Sequence, residues 1–339
     1  MNLGATSRRQ FTPDLQICRL LNGMWQVSGY HGKIDLTQAI ASMFQYLDAG
    51  YTTWDLADHY GPAEDLIGEF RRQLDAERGL AALQNLQAFT KWVPRPMPMQ
   101  RHTVAENINI SRRRMGVDCL DLLQFHWWDY KNLAYLDALK HLADLQAEGK
   151  IRHLALTNFD TEHLQIILEH GIKIVANQVQ FSLVDQRPIA QMMTLCQVHG
   201  VQLLTYGTLC GGFLSEKYLG KSEPFGLLLE TVSLKKYKTM IDAWGGWKLL
   251  QTLLQTLQAI AQKHQVSIAN VAVRSILDQP TVAGVIVGAR LGIAEHLADN
   301  AQVFGLKLDA GDRQQIATVL SQSRNLLERI GDCGDEYRR

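Results

Sequence analysis

The spacing of apolar residues predicts one domain of the α/β class over residues 1–339, folded as a (β/α)8 TIM barrel. From about residue 18 to residue 304, short β-branched or leucine-rich runs alternate with longer segments whose apolar residues recur at helical spacing. Eight such runs can be counted: ICRLLNG, TTWDL, LQAFTKW, LDLLQFH, IRHLALT, IVANQVQF, VQLLTYG and VAGVIVG. Alternating strand and helix units imply a parallel sheet covered on both faces, and eight of them suit closure into a barrel better than an open doubly wound sheet.

The punctuation between units supports this reading. Residues 36–49 place Leu36, Ile40, Met43, Phe44 and Leu47 on one helical face, and Gly50 stands where a C-terminal cap belongs, just before the strand TTWDL. Residues 135–148 repeat the pattern with Leu136, Leu139, Leu142 and Leu145, ending at Gly149 before IRHLALT. Residues ahead of the first strand are expected to form a short hairpin that closes the bottom of the barrel. Residues 211–246 contain Gly212, Gly220, Pro224, Gly226, Trp244, Gly245 and Gly246, and read as a long loop on the C-terminal side of the seventh strand. A loop of that length on that side is expected to be a cofactor or substrate lid, with Trp244 and Trp247 on the lid or a partner surface. After Phe304, Ile316, Val319 and Leu320 at helical spacing mark a helix that could close the barrel, contribute to a pocket or meet another subunit.

Composition excludes several classes of partner. The 34 basic and 34 acidic residues cancel, so the chain lacks the overall field that holds nucleic acids or anionic membranes, and a small-molecule partner is expected. Five cysteines (Cys18, Cys119, Cys196, Cys210 and Cys333) are scattered without a Cys-x-x-Cys spacing, which points to reduced thiols in a cytoplasm rather than disulfides or a metal site. No signal-peptide core or transmembrane run is visible. A homo-oligomer is compatible with all of this.

In a barrel, residues at the C-terminal ends of strands converge on the face where chemistry is done. Three successive strands supply ionisable groups there: Asp55 with Tyr60 in DLADHYG, Lys91 in FTKW, and His126 in LLQFHWW. Taken singly, each has an ordinary use, as a cap, a packed ring or a solvated strand end. Together they form a device for delivering a proton to an oxygen. A free tyrosine has a pKa of about 10, and a nearby ammonium on Lys91 would stabilise its phenolate. Asp55 would keep Lys91 charged and aimed, and His126 would polarise a carbonyl oxygen as a hydrogen-bond donor. Trp25, Trp92, Trp127 and Trp128 fall near the same strand ends, with Trp25 and Trp92 expected first in an apolar pocket.

These motifs, in this order, resemble the aldo-keto reductases, and the resemblance covers roughly residues 15–304. It implies that Asp55, Tyr60, Lys91 and His126 are a catalytic tetrad reducing aldehydes or ketones to alcohols by hydride transfer, with Tyr60 as proton donor. LTNF is similar to a family segment in which Thr157 and Asn158, joined by Gln178 of NQVQF, would bind the nicotinamide carboxamide of NADP(H). Tyr206 in TYGTLCGG would stack on the nicotinamide, near Trp25, and the loop from Gly207 through Leu209 to Gly211 would approach the pyrophosphate. GGFLSEKY resembles the longer-chained branch, which implies a phosphate contact for Lys217. VIVGARLGIAEHLADN is similar to the segment that holds the adenosine 2′-phosphate and adenine, placing Gly288, Arg290, His296 and Asn300 there. His296 stands where Arg or Gln is usual and Asp299 where Glu is usual. Members of that branch also serve as NADPH-binding regulatory subunits with little turnover, which is the alternative reading.

Overall fold

Eight parallel strands close into a barrel in the computed structural model, which describes residues 3–29 and 34–338. Ahead of the barrel, β1 (Arg8–Thr12) and β2 (Leu15–Cys18) form an antiparallel hairpin. The barrel strands follow as β3 (Leu20–Gly23), β4 (Thr53–Asp55), β5 (Gln87–Trp92), β6 (Leu120–Phe125), β7 (Ile151–Thr157), β8 (Ala176–Gln180), β9 (Gln202–Tyr206) and β10 (Val282–Gly288). They pair in sequence order, and β10 closes on β3. All eight coincide with the runs read from the sequence.

The hairpin lies at the N-terminal end, where it was expected. Phe11, Leu15 and Ile17 pack with Leu21, Phe89, Leu122, Ala155, Ala176, Leu204 and Ala283, and the rings of Phe11 and Phe89 stack with centroids 6.0 Å apart. The bottom of the barrel is therefore a closed apolar plug. Around it run helices whose ends have local causes. The helix Leu36–Asp48 starts at Asp35, whose carboxylate accepts from the Gln38 amide, and Asp160 and Ser267 cap the helices Thr161–Glu169 and Ile268–Leu277 in the same way. After the helix Ala134–Ala147, Gly149 takes a φ of 76°, the left-handed turn that lets the chain drop straight into β7.

The segment 211–246 differs from the expected loop. It contains short 3-10 turns at Glu216–Tyr218 and Gly226–Leu228 and then the helix Val232–Trp244, capped by the Thr231 hydroxyl. Trp244 and Trp247 are buried with Phe213, Leu250 and Leu254 in a core outside the barrel, so neither stands on a lid surface. The apolar periodicity of KKYKTMIDAW was masked by the glycine-rich stretch before it. Beyond Phe304, the helix Ala310–Leu320 buries Ile316 and Val319 in that outer core, and the chain then returns to the mouth of the barrel.

Close packing of two outer helices yields a stability test. In Ala63–Arg78, a Cβ on Gly68 would lie 2.0 Å from the Arg114 carbonyl of the helix Arg101–Met115. Gly68→Ala gains about 1 kcal/mol of helix propensity but forces overpacking costing roughly 1–3 kcal/mol. The expected net loss of up to about 2 kcal/mol lowers the thermal midpoint by roughly 1–4 °C, and a raised midpoint would contradict this contact.

Candidate active site

Side chains alternate across a strand, so the inward face that is apolar at the bottom of the barrel reappears two residues later at the top. There it becomes polar: Phe89 is followed by Lys91, Leu122 by Gln124, Ala155 by Thr157, Ala176 by Gln178 and Leu204 by Tyr206. Lys91 Nζ donates to Asp55 Oδ2 at 2.6 Å and to the Leu56 carbonyl at 2.8 Å. Asp55 Oδ1 accepts from Gln124 Nε2 at 2.9 Å and Gln178 Nε2 at 2.7 Å, and Gln178 also donates to Gln124 Oε1 at 2.6 Å. The whole group is buried. Burial pushes the Lys91 ammonium below its ordinary range, while Asp55 beside it opposes that shift. Sequence reasoning missed Gln124, although it shares inward parity with Leu122 on the strand that leads to His126.

Tyr60 sits on the loop after β4, with the Lys91 ammonium 5.0 Å from its ring centroid and the Trp25 ring edge-on at 5.0 Å. The side chains expected to meet do meet, but not by the expected bond. Lys91 donates to Asp55 and Leu56 and lies against the ring of Tyr60, without a hydrogen bond to its oxygen. Burial, with the Asp55 charge adding to it, raises the Tyr60 phenol well above its usual pKa, so it is fully protonated at neutral pH. A lowered phenol is thus not what this geometry gives.

His126 is buried, with the Trp128 ring edge-on at 4.4 Å. Its Nδ1 lies 3.0 Å from the Thr157 carbonyl, an acceptor only, so Nδ1 carries the proton. Nε2 is buried and has no hydrogen-bond partner. Desolvation lowers the imidazole pKa to about 4. In the neutral ring Nε2 is therefore an acceptor, which corrects the expectation of a donor.

The residues assigned to a dinucleotide occupy one rim but differ in availability. Asn158 takes a left-handed φ of 58°, and its Oδ1 accepts from the Tyr206 hydroxyl at 2.8 Å. The Thr157 hydroxyl turns toward the Gln178 carbonyl at 3.4 Å, and the Gln178 amide nitrogen is committed to Asp55, so both face the barrel interior. Gly207 and Gly211, flanking Leu209, have φ of 70° and 67°, and a Cβ on either would run into Tyr237. Lys217, Arg290 and His296 are exposed, and Arg290 makes no ion pair among the described residues. Gly288 backs onto the Gln26 side chain, and Asn300 is half-buried in the short helix Leu297–Ala301. Asp299 holds Ser267 and Asn270 instead of facing the rim. Trp92 and Trp127 are buried against Phe125, so of the four tryptophans near these strand ends Trp25 and the partly exposed Trp128 are left at the mouth. Positive-φ glycines, an orphaned imidazole nitrogen and an uncommitted arginine suit a dinucleotide with its phosphates. The structure adds Lys236, Tyr337 and Arg338 to this rim, which no periodicity or motif in the sequence announced.

A parallel barrel with its buried polar cluster at the C-terminal rim defines a class of barrel proteins with a site at that end. The profile of the aldo/keto reductase family matches residues 19–321, and the chain belongs to that family of nicotinamide-using, carbonyl-reducing oxidoreductases. The NADH-specific methylglyoxal reductase of Escherichia coli is 22% identical over 94% of this chain and 98% of its own length. Aldo-keto reductase YhdN of Bacillus subtilis is 24% identical over 91% and 92%. Among solved structures, the glycerol dehydrogenase AKR11B4 from Gluconobacter oxydans superposes with a TM-score of 0.78 at 21% identity, covering 94% of this chain and 96% of that one. The thermostable aldo-keto reductase Tm1743 gives 0.70 at 22%, covering 92% and 99%. Both share the fold. No helix among the described residues is long and apolar enough to cross a membrane.

The depressed imidazole has a measurable consequence. The unfolded chain protonates His126 near its ordinary pKa of 6.5, whereas the folded one does so only near 4, so the unfolded state binds more protons between those values. Stability therefore falls as pH drops through that window, by about 2 to 3 kcal/mol at pH 4.5. Urea unfolding of the wild type and His126→Gln at pH 7.5 and 4.5 should show that extra loss in the wild type alone. Equal losses would contradict the buried neutral ring.

Proposed function

We propose that this chain reduces aldehydes or ketones to alcohols with NADPH, using Tyr60 as the proton donor. The observation that carries the proposal is the buried Lys91–Asp55 pair with Tyr60 against its ammonium, at the mouth of the barrel. When bound, the reduced nicotinamide supplies a hydride to the carbonyl carbon. Tyr60, protonated at neutral pH, gives its hydroxyl proton to the carbonyl oxygen, so that C=O becomes CH–OH. The phenolate left behind lies beside the Lys91 ammonium, which Asp55 keeps charged and in place. Once Tyr60 has given its proton, the new alcohol hydroxyl can donate to the unpaired Nε2 of His126, so that ring would hold the product oxygen, while Trp25 and Trp128 give the substrate apolar walls. Asn158 and Tyr206 would hold the nicotinamide end of the cofactor. Gly207, Leu209, Gly211 and Lys217 would lie along its phosphates.

The preference for NADPH rests on Arg290, an exposed guanidinium without an internal ion pair beside the strand end Gly288. The methylglyoxal reductase from E. coli bears the name NADH-specific, so the two cofactors are compared directly in the test. The protein is mixed with NADPH or NADH and a panel of aromatic, aliphatic and sugar aldehydes, and loss of reduced-nicotinamide absorbance is followed. Tyr60→Phe is expected to lower kcat by about 10²- to 10⁴-fold, and undiminished turnover would remove Tyr60 from the chemistry. Arg290→Ala is expected to weaken NADPH by roughly 10- to 100-fold, the worth of a hydrogen bond to a charged group, and to leave NADH unchanged. Equal weakening would remove the 2′-phosphate contact. Tight NADPH binding without turnover on any carbonyl would favour the regulatory subunit.

A further inference from the structure

The rim that receives the cofactor in this reading is gripped by the chain's own residues 331–338. Lys236, from the helix Val232–Trp244, donates to the Tyr337 hydroxyl and stands 4.3 Å from the centroid of that ring. The Tyr337 and Tyr206 hydroxyls are 3.1 Å apart, and Tyr206 donates onward to Asn158 Oδ1. The Lys236 ammonium also lies 5.2 Å from the Tyr206 ring centroid. Arg338 Nη2 donates to the Asn158 carbonyl at 2.7 Å and the Trp127 carbonyl at 2.9 Å. Gly334 lies so close that a Cβ on it would be 2.1 Å from the Asn158 oxygen. Tyr337 reaches the catalytic side as well, its ring nearly perpendicular to that of His126 with centroids 6.5 Å apart.

We propose that residues 331–338 form an intrachain plug that competes with the dinucleotide for Asn158 and Tyr206 and must leave before the cofactor binds. The proposal rests on the reading that those two residues hold the nicotinamide. The plug is fastened at specific points. Buried Arg187, paired with Asp185 at 2.8 Å, donates to Glu336 at 2.9 Å and to the Asp332 carbonyl at 2.9 Å, and Asp332 accepts from the Thr161 amide at 2.7 Å. These are polar contacts that water can replace, and the apolar anchor among them is the single small side chain of Cys333, which is buried in the main core and must be withdrawn on release. The closed state also leaves Arg338 Nε and Nη1 and Glu336 Oε1 buried without hydrogen-bond partners, a cost that is relieved on release. When the plug leaves, Lys236 loses its phenol partner and presents its charge at the rim that receives the anionic cofactor.

The test is a titration of the full-length protein with NADPH and with NADH, read by reduced-nicotinamide fluorescence. Tyr337→Ala is expected to bind dinucleotide at least tenfold more tightly and to lose a slow phase of association, because a closed fraction no longer has to open. Tyr337→Phe keeps the ring but loses the hydroxyl bonds to Lys236 and Tyr206, and is expected to tighten binding to a smaller degree. In the wild type, dinucleotide should speed trypsin cleavage after Arg329, just ahead of the plug. Unchanged affinity in both variants would overturn the plug and leave the cofactor reading standing. Weaker binding in both would make Tyr337 part of the cofactor site and overturn the plug. No binding of either dinucleotide by any of the three proteins would overturn the cofactor reading, and the plug with it.

Discussion

A lysine ammonium 2.6 Å from an aspartate, both buried at the top of the barrel, is the interaction on which the rest of this rim depends. Two charges taken out of water are costly, and the attraction between them offsets that cost only when their remaining hydrogen-bonding capacity is met. Here it is: the Leu56 carbonyl takes a second Lys91 proton, and Gln124 and Gln178 both donate to Asp55. Apolar residues could fill the same space, as they do one layer lower. Holding a charge there is what a site needs, because it fixes an ammonium beside Tyr60 without exposing it to solvent.

Environment then sets the two neighbouring rings apart. Burial drives the Tyr60 phenol up and the His126 imidazole down, so at neutral pH both are uncharged. One is a proton donor. The other, with Nδ1 fixed by the Thr157 carbonyl, is an acceptor at Nε2. The rim thus holds a protonated phenol with an ammonium beside it, which suits converting a carbonyl oxygen to a hydroxyl, and an acceptor that suits the hydroxyl so formed.

The barrel was legible because its signals are local and repeated: apolar periodicity, glycine at helix ends, and eight strands of similar length. Asp55, Lys91 and His126 were legible for a related reason, since a strand end fixes the face on which a residue emerges, while Tyr60, on the loop after β4, was legible only through the DLADHYG motif. Gln178 was placed on the correct strand, but the bond from its amide nitrogen to Asp55 was not legible, because one amide can face the barrel interior or the mouth and only packing decides. Trp244 and Trp247 read as surface aromatics and proved to be core, since a tryptophan near a glycine-rich stretch gives no parity, whereas Trp92, read as a pocket aromatic, directly follows inward-facing Lys91 on β5 and so packs on the opposite face against Phe125. Tyr337 and Arg338 were invisible as rim residues. Contacts that join residue 337 to residues 206 and 236 depend on how the chain returns over the barrel, and no period encodes that.

In the proposed reaction a carbon at the mouth of this barrel receives a hydride while Tyr60 protonates the oxygen. Isotope transfer tests it most directly. The protein is incubated with an aldehyde and reduced dinucleotide carrying deuterium at the nicotinamide C4 position, and the product is read by mass spectrometry and NMR. The account predicts an alcohol with one deuterium on the former carbonyl carbon from the wild type, and little or none from Tyr60→Phe. An alcohol formed without the label, or labelled equally by both proteins, would contradict it.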